Sequence, residues 1–476
     1  MPLAPINFGG FSKVSDNATH TRFARGQYDG YWTVDDGENG PRYVWNKRPG
    51  LESYWDLVKA APIDGLWEWP GTGVIYTVCD GTMSEKNGSV ETTYAPASGY
   101  PAFEKNKIAS FAEFRSTYFY VANGGKIAKL LWLISFDWVT DGDAPTYVKS
   151  ICTTNQILVA ARDFGDQFDW ADAGSPDDWT SQYATAEAKP DQNHNMLLLN
   201  DYLHFFGERT YEPWRWTGST FNPEKSAIMD RGTIAEDSPT IVNNRIFWLD
   251  NYYKPVMLEG FTLTEIGNPV VDSYINTFEK ITDAVGYPLF FAGKHFWALS
   301  FPTAKKTLVY DIDLRAWMEW SYWNVGTGTR GEWRGRQGIY QSRKNRQLIG
   351  DRSNGVVWKL TGTTDNGAPI ITEITSDEST RGDPNRLKQC HSLSLHFKRA
   401  DTNTTPKKMY LSWADDGSTD FCSPIQVPIQ EQGKMDLFAK VTELGSYYSR
   451  RWRIQMSDEG YVGLVNEVLE EFEYGF

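Results

Sequence analysis

A hairpin pattern recurs along most of this chain. Each copy has alternating apolar positions, a turn, and a second strand that often ends near Trp or Gly. Copies begin near residues 72, 115, 155, 200, 244, 294 and 345, at intervals of 40 to 51 residues. One such hairpin cannot bury its apolar face alone, but hairpins packed side by side in a ring can. The interval is the blade length of a β-propeller.

The clearest copies lie in the middle of the chain, at 201–207, 245–250, 295–299 and 346–351. Seven copies predict seven blades, or six if one copy is an outer hairpin. Unrelated hairpins in sandwiches are the alternative. The 20 Trp, 25 Tyr and 25 Phe favour strands, and the 41 Gly fit a chain that turns often. We therefore predict an all-β protein.

The pattern changes near residue 363, after which strands alternate more strictly between apolar and polar positions. Good examples are 392–397, 409–413 and 451–456. One apolar face and one polar face are typical of an antiparallel sandwich. The predicted domains are an N-terminal arm with a short helix near 50–60 (1–64), a β-propeller (65–362) and an antiparallel, β-sandwich-like domain (363–476).

Charge and cysteine content set limits on the environment and partners. The formal net charge of −14 does not favour binding to nucleic acid by phosphate attraction. The charge suits a surface that DNA slides past, and ordinary solubility is the alternative explanation. The four cysteines, Cys79, Cys152, Cys390 and Cys422, are spaced too widely for a metal pair and predict reduced, mostly buried thiols. The N-terminus does not resemble a signal peptide, and the longest apolar run, 127–136, is too short to span a bilayer.

Motifs that resemble catalytic or binding signatures fail on context. The glycines of 326–331 match a dinucleotide fingerprint by letter, but the following residues do not start an apolar helix. The acids of 163–172 do not follow the order of a calcium loop. The stretch 415–421 is close to an Asp-box turn, shifted by one residue. His204 and His295 lie in apolar strands and are interpreted as core residues. We expect no catalytic residues, no metal and no cofactor.

One basic stretch interleaved with Trp333 and Tyr340 stands out. Its cations are Arg330, Arg334, Arg336, Arg343, Lys344 and Arg346, with Glu332 as the one acid between them. Arginine with aromatic residues can hold phosphates and stack on bases. The planar guanidinium also pairs well with carboxylates at interfaces. The stretch therefore predicts a subunit interface or a DNA contact, with a solvated loop as the third interpretation.

Several segments resemble one protein family. They are 47–51 with the hairpin 74–81, the stretch 177–191 followed by 203–207, and 411–417 in the C-terminal sheet. The chain is similar in these places to the packaged-DNA stabilisation proteins, or tail nozzle and hub proteins, of short-tailed, podovirus-like bacteriophages. The similarity runs from about residue 47 to the end, and the N-terminal arm departs from it.

The resemblance implies a structural protein of the virion tail, assembled in the bacterial host cytoplasm. It implies a homohexameric ring below the portal and its adaptor that closes the filled head, retains the genome and lets double-stranded DNA pass during ejection. A tail needle, fibres or spikes would attach to it, without membrane insertion. One alternative is a carbohydrate-binding or sialidase-like propeller, which needs a pocket of arginines and carboxylates with a general acid, a set that the sequence does not indicate. The other alternative is a protein-interaction propeller of a host cell.

Overall fold

A computed structural model describes residues 3–6, 8, 27–37, 40–94, 103–131, 135–186, 191–399, 407–429, 436–458, 460 and 462–475. Strands make up 58% of the protein and helices 3%, so the all-β prediction is confirmed. The N-terminal strands precede the first hairpin repeat. They are β1 (Leu3–Ile6), β2 (Gln27–Tyr28), β3 (Gly30–Gly37), β4 (Gly40–Lys47) and β5 (Leu51–Asp56).

Within the described residues, six propeller blades are each built from four consecutive antiparallel strands. Blade 1 contains β6 (Ile63–Glu68), β7 (Ile75–Cys79), β8 (Thr82–Asn87) and β9 (Val90–Tyr94). Blade 2 contains β10 (Ser110–Phe114), β11 (Tyr118–Ala122), β12 (Ala128–Leu131) and β13 (Ser135–Trp138). Blade 3 contains β14 (Val148–Thr154), β15 (Ile157–Arg162), β16 (Gln167–Trp170) and β17 (Gln182–Thr185).

The next three blades follow the same order. Blade 4 contains β18 (Asn193–Leu199), β19 (Tyr202–Gly207), β20 (Tyr211–Trp216) and β21 (Phe221–Pro223). Blade 5 contains β22 (Thr240–Val242), β23 (Arg245–Leu249), β24 (Pro255–Glu259) and β25 (Thr262–Glu265), and the helix α1 (Pro269–Ile275) follows it. Blade 6 contains β26 (Val285–Phe291), β27 (Lys294–Phe301), β28 (Lys306–Asp311) and β29 (Ala316–Asn324).

A seventh four-stranded unit, blade 7, combines the two ends of the propeller. After β30 (Thr329–Glu332), which pairs with β29, the chain forms β31 (Gly335–Gln341), β32 (Arg346–Asp351) and β33 (Val356–Leu360). The N-terminal β5 is its fourth strand and pairs antiparallel with β33. The seven sequence repeats therefore correspond to six continuous blades and one composite blade that closes the ring.

The prediction of a short helix near 50–60 is wrong, because β5 occupies its first half. Leu51 and Trp55 are both buried, and residues four apart share a face in a helix and in a strand alike. Pairing with β33 selects the strand.

Hairpin turns explain the repeated sequence pattern. In blades 3 to 6, a two-residue turn with positive φ at both positions joins the first and second strands. These turns are Asn155-Gln156, Asn200-Asp201, Asn243-Asn244 and Ala292-Gly293. Such turns match the twist of the flanking strands and favour Asn and Gly. We call the end of the propeller that carries them the turn end, and the opposite end, where links such as 139–147 and 266–284 join consecutive blades, the link end.

Apolar side chains between adjacent blades form the propeller core. Phe168 of blade 3, for example, packs against Phe205 of blade 4 with ring centroids 4.5 Å apart. On the other side of the ring, Ile63 of blade 1 packs with Trp55 and Leu348 of blade 7. The apolar faces of adjacent blades are thus buried against one another all round the ring, which stabilises its closed form.

Two sheets after the propeller confirm the predicted C-terminal sandwich. The remaining strands are β34 (Thr364–Asp365), β35 (Ala368–Pro369), β36 (Thr372–Thr375), β37 (Lys388–Arg399), β38 (Lys408–Asp415), β39 (Ile425–Pro428), β40 (Asp436–Thr442), β41 (Ser446–Tyr447), β42 (Arg450–Met456) and β43 (Val462–Tyr474). One sheet has the order β3-β4-β43-β37-β40, with β1 beside β43. The other continues from blade 6 as β29-β2-β36-β42-β38-β39.

The N-terminal strands belong to these sheets, so in the described residues they do not form a separate arm. One large apolar cluster joins Trp45 of β4, Leu395 and Ile454 of the sandwich, and Trp320 and Trp358 of blades 6 and 7. The sandwich is therefore packed against blades 6 and 7. The predicted boundaries at 64 and 362 stay predictions.

Candidate functional site

The basic stretch of the sequence is split between the two ends of blade 7. Arg334 and Arg336 lie at the start of β31, at the link end, whereas Arg343 and Lys344 lie in the 3₁₀ turn after it, at the turn end. Seven residues of extended chain separate the two groups by about 20 Å. The stretch therefore does not form one continuous cationic surface.

Arg330 is used inside the chain. Its guanidinium pairs with Asp29 and, at 3.3 Å, with Glu373 of the sandwich. It also lies 4.5 Å from the ring centroid of Tyr28. Arg330 therefore attaches the β30 hairpin to the N-terminal and C-terminal strands.

Arg334 and Arg336 also have partners within the chain. Arg334 lies 4.2 Å from the ring centroid of Tyr322 and 3.9 Å from an Asp351 carboxylate oxygen. Arg336 donates to the Asn106 carbonyl at 2.8 Å and lies 3.2 Å from the carboxylate of Asp64. The contacts of Arg334 are therefore with blade 6 and within blade 7, whereas those of Arg336 join blade 7 to blade 1 and to the link that follows blade 1, across the ring closure.

The turn-end members differ from one another. Arg346 donates to the Tyr54 hydroxyl at 2.9 Å and stacks on the same ring at 4.2 Å, which fastens β32 to the closing strand β5. Arg343 and Lys344 are exposed. They are the two cations of the stretch whose side chains face solvent beside the blade 1 turn that contains Gly71 and Gly73.

A buried charge cluster that the sequence analysis missed lies between the propeller and the sandwich. The side chain of Arg48 is fully buried, and all five of its N–H donors have acceptors. It pairs with Asp29 at 2.8 Å and bidentately with Asp365 at 2.6 and 2.9 Å. It also donates to the carbonyls of Pro49 and, at 2.7 Å, Ser321.

The same cluster fixes the backbone around it. Asp29 has a positive φ of 54° and accepts from the Ser321 amide at 2.7 Å. The guanidinium of Arg48 lies 4.4 Å from the ring centroid of Trp333. Burial lowers the pKa of Arg48, but Asp365 and Asp29 more than offset this and hold the pKa above its usual value. Arg48, Asp29 and Asp365, which we call the Arg48 cluster, thus join β2, blade 6, β34 and the start of β5.

A polar cavity of about 340 Å³ lies at the link end of the propeller, where several blades converge. Its lining includes Asn106, Asp237, Asp283, Arg336 and Arg352. Beside it, Lys149 of blade 3 pairs with Asp237 at 2.8 Å and with Glu236 at 3.3 Å. Acids and bases are interleaved around the cavity, so its electrostatic field does not select one sign of ligand.

Among the carboxyl groups around this cavity, that of Asp64, which pairs with Arg336, has the most strongly shifted pKa. Burial raises the pKa of Asp64 to about 6, although Arg336 and the Asn106 amide act in the opposite direction. A buried carboxyl with a raised pKa can serve as a general acid. Here its neighbours are structural: a guanidinium and a backbone amide at the ring closure.

The motifs singled out in the sequence lie in hairpins, ion pairs and buried strands of the fold. The glycine-rich 326–331 forms the β29–β30 hairpin. Asp169 of the acidic stretch pairs bidentately with Arg162, and Asp415 pairs with Arg450. His204 is buried, contacts the Tyr211 hydroxyl at 2.6 Å, and has its pKa lowered to about 4 by burial. His295 is only partly buried.

Across the described ranges, no group of three or more His, Cys, Asp or Glu side chains is placed to hold a metal ion. Over the same part of the chain, no helix is long and apolar enough to cross a membrane. All four cysteines are free thiols, and three of them are buried.

Comparison with models of known protein families shows which family this chain belongs to. Residues 48–365 match the phage stabilisation family, described as "Bacteriophage P22 Gp10, beta-propeller". The chain belongs to this family. It is a phage structural protein and a component of the virion. The match begins at Arg48 and ends at Asp365, the two residues that form the bidentate pair of the Arg48 cluster.

Solved structures show only distant likeness to this member of the phage stabilisation family. The extracellular domain of a putative hybrid two-component system from B. thetaiotaomicron has 8% identity and a TM-score of 0.46, over 65% of this chain and 39% of that one. The Pan2 WD40 domain of Neurospora crassa has 9% identity and a TM-score of 0.42, over 66% and 95%. An exo-beta-1,3-galactanase from Phanerochaete chrysosporium has 11% identity and a TM-score of 0.28, over 79% and 98%.

These TM-scores are too low to support any functional argument. A search of curated proteins finds no match. The family match alone therefore identifies the chain.

Replacement of Arg48 by methionine should destabilise the protein strongly. It leaves the carboxylate of Asp365 buried without its bidentate partner, so we expect a loss of about 3–5 kcal/mol in the free energy of unfolding. Urea denaturation measures this. Arg343→Met, at an exposed arginine, is the control and should change stability by less than about 0.5 kcal/mol. Adding Asp365→Leu to Arg48→Met should recover part of the loss. Equal effects of Arg48→Met and Arg343→Met would contradict this role of the cluster.

Asp64→Asn should change how stability depends on pH. The folded pKa of about 6 lies above the ordinary aspartate value, so folded Asp64 holds its proton more tightly than unfolded Asp64. Its contribution is therefore most favourable at low pH and is lost as pH rises towards and through 6. The stability of Asp64→Asn relative to the unsubstituted protein should increase between pH 4 and 7 in denaturation curves. A difference that does not vary with pH would show that the carboxyl titrates normally.

Proposed function

We propose that this phage structural protein is the tail hub or nozzle that closes the DNA-filled head below the portal and its adaptor. In this role it retains the genome, forms the ejection channel as a homohexameric ring, and is the attachment platform for a needle, fibres or spikes. The observation that carries the proposal is the family match over 48–365, which spans the whole propeller.

The construction of the chain supports a mechanical role. A subunit that holds back packaged DNA has to keep its shape under load. Here the ring is closed by β5, and the Arg48 cluster and a shared apolar core join the propeller to the sandwich. At the link end, Lys149 pairs with Asp237 and Arg336 pairs with Asp64, so these ionisable groups connect neighbouring parts of the ring.

The distribution of charge fits passage of DNA. A net charge of −14 disfavours a persistent grip on phosphates, which would slow ejection. Arg330, Arg334 and Arg336 are neutralised by acids of the same chain. The predicted interface role of the basic stretch is therefore narrowed to Arg343 and Lys344, which are exposed at the turn end.

Complementation of a phage that lacks this gene tests the proposal. Particles made without the protein should package DNA and then lose it, so their DNA becomes accessible to nuclease, and they should lack the distal tail parts. The unsubstituted gene should restore infectivity. The variant with Arg343→Glu and Lys344→Glu should fold normally, since both side chains are exposed, but should yield fewer infectious particles.

The matched control is Lys105→Glu, a change at an exposed lysine on the link end. It should restore infectivity like the unsubstituted gene. Deficient particles that keep their DNA and infect normally would contradict the proposed function. Full rescue by the Arg343/Lys344 variant would contradict only the interface role of these two residues.

A further inference from the structure

The N-terminal strands form one segment that is inserted between the other parts of the fold. We call residues 27–37 and 40–56 the N-terminal strap. Its strands pair in three places: β2 with blade 6, β4 with β43 of the sandwich, and β5 with blade 7. Because β2 also pairs with β36, the described strands of blade 6 and of the sandwich belong to one sheet only through the strap.

The propeller contacts the strap through side chains of blade 6. The ring of Tyr31 packs edge to face on that of Phe291, with centroids 5.1 Å apart. Trp320 donates its indole N–H to the Gly30 carbonyl at 3.2 Å. Together with the pairing of β5 in blade 7, these contacts attach the strap to the two blades that face the sandwich.

The sandwich contacts the same segment from the other side. The Thr372 hydroxyl of β36 donates to the Tyr28 carbonyl at 3.2 Å and accepts from the Trp45 indole N–H at 3.1 Å. Lys47 donates to the Ser457 carbonyl at 3.5 Å. The strap therefore lies between the propeller and the sandwich and is hydrogen-bonded to both.

The partners of the strap lie far away along the chain. The separation is 290 residues for Gly30 and Trp320, and 410 residues for Lys47 and Ser457. Closing such long loops costs conformational entropy before the contacts repay it, so contacts of this kind form late in folding. The strap is thus early in the sequence, but it can pair only after its partner strands in blades 6 and 7 and in the sandwich are available.

Most of the propeller does not depend on the strap. In the described part of the chain, the apolar clusters that join blades 1 to 6 in succession contain no strap residue. Departure of the strap would uncover the buried rings of Trp32, Trp45 and Trp55 and would leave the ion pair of Arg330 with Glu373 as a direct contact between propeller and sandwich. Opening of the strap should therefore cost less free energy than global unfolding.

We propose that the strap is a conformational lock that opens and closes as one unit. When it is closed, it joins the sandwich to the propeller and completes blade 7. When it is open, the sandwich is free to move and blade 7 has three strands. Arg48 belongs to the strap and Asp365 does not, so their bidentate pair breaks in the same event. The lock goes beyond the proposed function and does not rest on it.

Hydrogen exchange of the full, unsubstituted chain, followed by mass spectrometry at increasing urea concentrations, tests the lock. The amides of β2, β4 and β5 should exchange as one group with a single urea dependence, together with the segments of β36 and β33 that pair with them. Amides in blades 2 to 5 should exchange at least about tenfold more slowly. Separate opening of β2, β4 and β5, or exchange of all three only together with blades 2 to 5, would show that the strap is not a lock.

A substitution inside the strap tests the same proposal. A Cβ added at Gly30 would lie 2.4 Å from the Trp45 ring and 2.6 Å from the Asn46 carbonyl oxygen, so the strap must shift in Gly30→Ala. This variant should exchange at least about tenfold faster in β2, β4, β5, β33 and β36 and at an unchanged rate in blades 3 to 5. Gly125→Ala is the matched control, since a Cβ there meets no atom within 4 Å, and it should leave exchange of the strap unchanged.

The distribution of the faster exchange decides between a lock and a local disturbance. Faster exchange confined to β2, β3 and β4, with β5 and β33 unchanged, would contradict the lock. If Gly30→Ala does not fold, Tyr31→Leu replaces it, because it removes the ring contact with Phe291 and keeps an apolar side chain. The same set of strands should then exchange faster, by a smaller factor, and the same confinement to β2, β3 and β4 would contradict the proposal.

Discussion

The buried pairing of Arg48 with Asp29 and Asp365 is the interaction on which the rest of this structure depends. Arg48 lies three residues before the closing strand β5, Asp365 follows blade 7, and Asp29 lies beside blade 6. One guanidinium therefore joins the two ends of the propeller to the N-terminal strands. A buried charge that loses its partner is strongly destabilising. Closure of the ring and docking of the sandwich are therefore coupled.

Because of this coupling, the charged side chains of the protein serve mainly to hold its parts together. Ionisable side chains of the types found in enzyme active sites hold parts of this fold together. The pairs are Asp64 with Arg336 at the ring closure, Lys149 with Asp237 near the link end, and Arg330 with Asp29. A phage structural protein that uses its charges in this way is suited to bear load.

The propeller and the sandwich could be predicted because their signals are local. A hairpin repeat and strict alternation follow directly from strand geometry and from turns such as Asn200-Asp201. The Arg48 cluster could not be predicted, since Arg48 and Asp365 are 317 residues apart and the segment 47–51 does not indicate a charge partner for Arg48. Proximity in the sequence groups the cations of the basic stretch, but β31 separates Arg336 from Arg343. The prediction of a helix near 50–60 fails because Leu51 and Trp55 fit both periods, and only the distant partner β33 selects the strand.

The composition of purified phage particles tests the central claim most directly. Quantitative mass spectrometry of intact virions, and of tails detached from heads, measures how many copies of this chain each particle carries and where they are. A structural hub predicts a copy number equal to one hexameric ring, recovered with the tail fraction. Absence of the chain from purified virions, or a copy number that varies between preparations as for a carried-over host or phage enzyme, would contradict the account.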